Sequence, residues 1–193
     1  MSQRRLARTM TLQVLSEWDF NKSMIFKDVD IQEIIQRNLK EFSSLHPLTS
    51  RPPLTEPKAM SGVARLSLAE PKATSNRSSK RNQIGSDFQE KLFFKQLVQD
   101  ILKNIKKIDS FIIQYAPQWP IEKITLVDRN ILRIGVFELL ISAQTPPKVI
   151  INEAIEIAKL FGSETSSKFI NGVLGAIYEK MKDFAQNSEA KPK

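Results

Sequence analysis

The side chains that could do chemistry in this chain are few, and most are cations. There is no cysteine, so a disulfide framework, a thiolate zinc site and a cysteine nucleophile are all excluded. His46 is the only imidazole, which rules out a two-histidine metal site. What remains is a set of arginines, lysines and aromatics. Arg4, Arg5 and Arg8 stand together at the start of the first helical pattern. Three cations at a helix N-terminus oppose the macrodipole, an arrangement that an anionic partner would relieve and that a solvated basic end would also tolerate.

The net charge of +8 over 193 residues invites a polyanion only if it is concentrated. Residues 43–85 carry seven basic and two acidic side chains, while the flanks are nearly balanced. That middle stretch also holds five prolines and eight serines, with no Phe, Trp or Tyr. It cannot bury enough apolar surface to offset its ordering entropy, so it reads as a disordered insertion, with a weak helical turn near 59–68. The segment could be a functionless spacer, a basic arm adding non-specific phosphate affinity, or a protein-docking segment. His46 falls within it, remote from any catalytic constellation.

Both flanks have helical periodicity, and no alternating strand pattern stands out. Gln3–Phe20 places Leu6, Ala7, Met10, Val14 and Trp18 on one arc, with Leu12 and Leu15 on the other side. Asp30–Phe42 carries a continuous stripe of Ile31, Ile34, Ile35, Leu39 and Phe42 behind a D-x-x-E start. Ser86 begins a long pattern expected to break near 107–109, followed by a short helix over Phe111–Tyr115. Pro117 and Pro120 bracket Trp119 in a loop. Thr125 and Asp128 form a T-x-x-D start for a helix ending near Gln144. Pro146 and Pro147 suit the entry of the next helix, and Gly162 its C-terminal boundary. Ser163 is placed to cap the last helix, in which Gly172 and Gly175 suggest close approach by another helix or a ligand. The expected fold is all-α, with about seven helices and a polar tail over 188–193. The longest charge-free run, Ser110–Ile121, is too short to span a bilayer, so a cytoplasmic protein without membrane contact is expected.

The stretch Val127-Asp-Arg-Asn-Ile-Leu-Arg-Ile-Gly-Val-Phe-Glu-Leu139 resembles the fifth helix of the NusB transcription antitermination family. Pro147-Lys-Val-Ile-Ile-Asn-Glu-Ala-Ile-Glu-Ile-Ala-Lys159 resembles its sixth. Phe161-Gly-Ser-Glu and Lys168-Phe-Ile-Asn-Gly-Val-Leu174 resemble the start of its seventh, and Arg4-Arg5-Leu6-Ala7-Arg8 matches its R-R-x-A-R signature, followed by Leu15-x-x-Trp18. The resemblance covers about 1–42 and 86–182. It implies one domain over 1–187, built as two packed three-helix bundles with an extra helix and interrupted at 43–85, where family members usually have a shorter link.

The resemblance also implies binding of single-stranded boxA RNA and a heterodimer with the ribosomal small-subunit protein NusE, in control of ribosomal RNA transcription. It implies no catalysis, metal or cofactor. Arg4, Arg5 and Arg8 would meet RNA phosphates. Lys148, at the start of the sixth helix, could meet phosphate alongside free backbone N–H groups. Phe161 and Lys168-Phe169 combine a cation with aromatic faces of the kind that stack on splayed bases, or else fill the core. Asp128, Arg129 and Arg133 on the fifth helix are candidates for contact with the protein partner. Two alternatives stand beside this reading. One is a homodimer that pairs the partner face with itself. The other is a stand-alone relative of the N-terminal region of ribosomal RNA cytosine methyltransferases, whose catalytic cysteines and glycine-rich cofactor loop this sequence lacks.

Overall fold

A computed structural model describes residues 3–24, 30–45, 76–142 and 144–189. Helix α1 spans Gln3–Met24, α2 Ile31–Leu45, α3 Asn76–Lys103 and α4 Ile105–Tyr115. Helix α5, Leu126–Phe137, runs on into a π-helical turn, Glu138–Ser142; α6 is Pro147–Phe161 and α7 Ser166–Glu189. Among the described residues there is no strand. No helix among them is long and apolar enough to cross a membrane.

Two apolar cores divide the helices. The smaller joins Ala7, Met10 and Val14 of α1 to Ile34 and Ile35 of α2 and to Phe94 and Val98 of α3. The larger gathers α4, α5, α6 and α7 around Leu132, Ile150 and Leu174, and it also takes Leu12 and Leu15 from α1. Helix α1 therefore lies between the two bundles and buries both sides. That is why Leu12 and Leu15 fall off the main apolar arc of the sequence.

Boundaries follow local chemistry. Thr125 caps α5 by accepting the Asp128 N–H at 3.1 Å, as its T-x-x-D spacing predicts. Pro147 occupies the first turn of α6, where its missing N–H costs nothing. The break after α3 comes at Asn104, earlier than expected, and α4 restarts at once. The Asn104 side-chain amide donates to the Asp100 carbonyl at 2.8 Å, the kind of local bond that competes with the helical ladder. Helix α3 begins at Asn76, ten residues before the expected start, so residues 76–85 are helical, as are 43–45 at the end of α2. The remainder of the segment read as an insertion, 46–75 with His46 and the expected turn at 59–68, lies outside the described residues, as do tail residues 190–193.

Candidate nucleic-acid interface

The three N-terminal arginines reach three different acids on three different elements. Arg4 is exposed, stacks over the Phe93 ring at 4.2 Å and stands 3.4 Å from Glu90, both on α3. Arg5 grips Glu153 of α6 with two hydrogen bonds of 2.9 Å. That hydrogen bond raises the Arg5 pKa and holds Glu153 below the usual carboxylate range. Arg8 is 3% exposed and donates to both oxygens of Glu138, which is 4% exposed, at 2.8 and 2.7 Å. Burial alone would lower the Arg8 pKa; the hydrogen bonds and charge of Glu138 outweigh it and raise the value.

This corrects the expectation that all three meet phosphate. Arg8 is inside the protein with its guanidinium edge occupied, and it ties α1 to the π-helical turn. Arg5 ties α1 to α6 and keeps part of its surface. Arg4 alone of the three presents an exposed cation.

The fifth-helix residues expected at a protein interface are largely internal. Asp19 of α1 accepts from Arg133 and sits 2.8 Å from Arg129. Arg133, 5% exposed, also makes a two-pronged pair with Asp109 of α4 at 2.8 and 2.9 Å. Burial opposes its charge, and Asp109 and Asp19 together outweigh it, raising the pKa. Arg129 additionally donates to the Ile121 carbonyl at 3.1 Å. Arg129 and Arg133 thus lock the seam between α1, α4 and α5. Helix α5 has little polar face of its own, because it is packed on several sides and its arginines are neutralised within the fold.

Asp128 is different. Its backbone is held by the Thr125 cap, but its side chain is 94% buried, and one carboxylate oxygen, Oδ1, has no hydrogen-bond partner. It lines a cleft of about 550 Å³ together with Trp119, Lys123, Thr125, Ser163, Thr165, Lys168 and Phe169. Trp119 and Phe169 meet edge to face at 5.7 Å between ring centres, and Trp119 is 54% exposed. A smaller cleft of about 340 Å³, bounded by Tyr115, Pro117, Gln118 and Gly172, opens against the same aromatic pair. Two exposed lysines therefore flank an aromatic wall, the combination suited to single-stranded nucleic acid.

The turn from α6 to α7 builds one side of this cleft. Gly162 adopts an extended conformation with φ −92°. Its backbone is open to any residue, but a Cβ there would lie 2.7 Å from the Ala158 carbonyl oxygen and 2.5 Å from the Ser166 Cβ. The Ser166 hydroxyl accepts the Ser163 N–H at 2.8 Å and lies 2.9 Å from the Ser163 hydroxyl, closing the turn. The expected Ser163 side-chain cap is not what closes the turn: the Ser163 hydroxyl meets the Thr165 and Ser166 hydroxyls, and it is Ser166 that takes a backbone N–H.

Of the remaining expected residues, Lys168 and Phe169 come together in the cleft, and Phe169 also packs against the larger core. Phe161 and Lys148 are exposed at opposite ends of α6, and neither lines the cleft. Trp119 and Lys123 are the residues that sequence reasoning left out. The signal for Trp119 was present in the two prolines that fix it in a loop. At Gly172 and Gly175 a Cβ would meet nothing within 4 Å, so no helix among the described residues packs closely against either one.

Comparison with known proteins places these features in a family context. The model of the NusB family matches residues 58–179. The match begins inside the stretch read as an insertion, and it leaves out α1 and α2. A transcription antitermination protein NusB from Chloroherpeton thalassium is 40% identical over 99 residues, which is 51% of this chain and 47% of that protein. The chain therefore spans about half the length of that relative. T. maritima NusB superposes with a TM-score of 0.62 at 26% identity, covering 93% of this chain and 92% of the other. A NusB solved with NusE and double-stranded RNA gives a TM-score of 0.59 at 23% identity, covering 93% and 98%, and shares the fold.

Proposed function

From the premise that the chain belongs to the NusB family, we propose that it is an antitermination factor that binds single-stranded boxA-type RNA together with a NusE-type ribosomal small-subunit protein, and so acts on ribosomal RNA transcription. The observation that carries the RNA part is the cleft in which Trp119 and Phe169 stand between Lys123 and Lys168. Aromatic faces take splayed bases and the lysines take the flanking phosphates. Arg4, on its Phe93 platform, adds an exposed cation at the other bundle. Lys148 and Phe161 extend the surface along α6. The chemistry is binding, not catalysis. The NusE-type partner is supported by the fold shared with a NusB solved alongside NusE.

Fluorescence anisotropy with a labelled boxA-type RNA, its scrambled counterpart and a duplex of the same sequence tests this, with and without a purified NusE-type protein. The expected result is preference for the single-stranded boxA-type probe, strengthened by the partner. Equal affinity for all three probes in both conditions refutes it.

A further inference from the structure

A separate groove lies where α3 meets the end of α5 and the π-helical turn. It encloses about 250 Å³ and shares no residue with either cleft beside Trp119. Its apolar lining comes from two helical pairs four residues apart, Phe93 and Leu97 on α3, and Phe137 and Ile141 running from α5 into the π-helical turn. Single π-helical turns within helices recur at functional sites. Its polar lining is unspent. Gln96 and Gln144 are exposed and, among the described residues, make no side-chain hydrogen bond. The Asp100 carboxylate stands 3.6 Å from Lys103, too far for a hydrogen bond, and its side chain is also open to solvent. Cations mark both ends. Arg4 lies over the Phe93 ring, and Lys103 stands beside Asp100; both side chains are exposed.

These groups define a ligand. A carboxamide carries a donor and an acceptor side by side. Adenine presents an amino group beside a ring nitrogen, the complementary pair, which glutamine and asparagine meet with two bonds. The amino group keeps a second N–H for a carboxylate such as Asp100. Guanine and uracil place a carbonyl where adenine has that amino group, and a carboxylate repels it. Cytosine has the amino group but only one ring to lay on the apolar lining. The volume is below the ~300–1,000 Å³ of sites for drug-sized ligands, so it suits one base, with sugar and phosphate left at the rim. An arginine at that rim suits a phosphate.

We propose that the groove between α3 and the π-helical turn binds an adenosine 5′-phosphate unit. The base lies on Phe93 and its apolar neighbours, Gln96 and Gln144 read its edge, Asp100 accepts from its amino group, and Arg4 takes the phosphate. The site goes beyond the boxA reading and does not depend on it, because such a unit can arrive as a free nucleotide or within a single strand.

The test follows the full chain by ¹H–¹⁵N NMR while AMP, UMP, or a short uridine strand with or without one central adenine is added. The side-chain amide signals of Gln96 and Gln144 are identified by their loss in Gln96→Leu and Gln144→Leu. AMP is expected to shift both, to leave the Trp119 indole N–H unmoved and to bind about tenfold tighter than UMP, the discrimination of one good two-pronged base contact. Arg4→Gln should weaken AMP several-fold and leave adenosine unchanged. The combined Gln96→Leu and Gln144→Leu change should bring AMP and UMP within about twofold; both residues are exposed, and circular dichroism checks that the variant is folded. An adenine preference with AMP alone assigns a free nucleotide as the source, and with the strand alone an RNA; either upholds the site. Equal response to AMP and UMP and to both strands overturns it. So does an adenine preference that survives the combined change, or an AMP response at the Trp119 indole with the Gln96 and Gln144 signals still. No response to any probe, with boxA-type RNA still bound, overturns the site and leaves the proposed function standing.

Discussion

Replacing Arg8 by Met leaves the Glu138 carboxylate buried without its counter-charge. The structure sets the scale of the loss. Glu138 is 4% exposed, and the two bonds it accepts from Arg8, at 2.7 and 2.8 Å, are its connection to α1. Removing one partner of such a pair costs about 3–5 kcal/mol, because the other charge stays uncompensated. In a chain of this length each kcal/mol moves the melting temperature by roughly 2–4 °C, so Arg8→Met should lower it by about 6–20 °C. Glu138→Leu alone should cost a similar amount. The double change Arg8→Met with Glu138→Leu should recover most of it, since two buried ions are exchanged for apolar groups of comparable volume. Urea unfolding followed by circular dichroism at 222 nm gives all four corners of the cycle. Additive losses, or a single-mutant cost below about 1 kcal/mol, refute the reading of Arg8 as an internal tie. The double variant carries a second readout. If Arg8 binds no phosphate, RNA affinity and its salt slope stay at the level of the unaltered protein once the fold is restored.

Three further outcomes follow from other contacts. Glu153 is held below the usual carboxylate range by Arg5, so its contribution is full above the unfolded value near ~4.3 and is lost as pH falls through its lower folded value. Glu153→Gln should therefore lower the melting temperature at neutral pH, by an amount equivalent to about 1 kcal/mol, and flatten its fall below about pH 5; an unchanged acid limb argues against the Arg5 pair. The raised pKa values of Arg5, Arg8 and Arg133 remove stability only far into the alkaline range, leaving the acid limb to the carboxylates. Two glycines in helices should respond oppositely to alanine. Gly172→Ala meets nothing within 4 Å and should stabilise by up to about 1 kcal/mol, whereas at Gly135 the added Cβ would stand 2.7 Å from the buried Leu174 side chain and should cost about 1–3 kcal/mol in urea titrations. Lys123→Gln and Lys168→Gln should each flatten the dependence of log Kobs on log salt by about 0.7 for a single strand, and a slope unchanged in both removes them from the phosphate path.

The parts of the fold written in short-range chemistry were legible in the sequence. The Thr125 cap and the Pro147 entry could be read directly, because each depends on residues within one turn. Gly162 was read at the right place for a different reason. Its backbone is extended, and glycine is required because the α7 start presses against it. The two-sided apolar pattern of α1, with Leu12 and Leu15 off the main arc, follows from the two cores between which the helix lies. The break at Asn104 and the early start of α3 were missed, since polar residues at a helix end carry weak periodicity. The partners of the arginines were invisible. Arg8 and Glu138 are 130 residues apart, and Arg133 and Asp19 are 114 apart. Nothing local distinguishes an arginine that will be buried on an acid from one that will face solvent.

That difference between arginine and lysine organises the electrostatics of the molecule. Arg5, Arg8 and Arg133 each meet a carboxylate with two nitrogens, and the planar guanidinium fork makes such a pair tolerable away from water. Lysine, a compact and strongly hydrated charge, is kept outside: Lys123, Lys148 and Lys168 are all exposed. Each internal arginine is matched by an acid, so it contributes little field at the surface. The same count of cations would give a strongly positive face if the acids lay elsewhere. On the proposed function a phosphate would meet exposed cations such as Lys123, Lys168 and Arg4, whereas the arginines at the start of α1 also fix α1 against α3, the π-helical turn and α6. On this account the R-R-x-A-R motif supports RNA binding indirectly, by holding together the two bundles on which the exposed cations and aromatics are mounted.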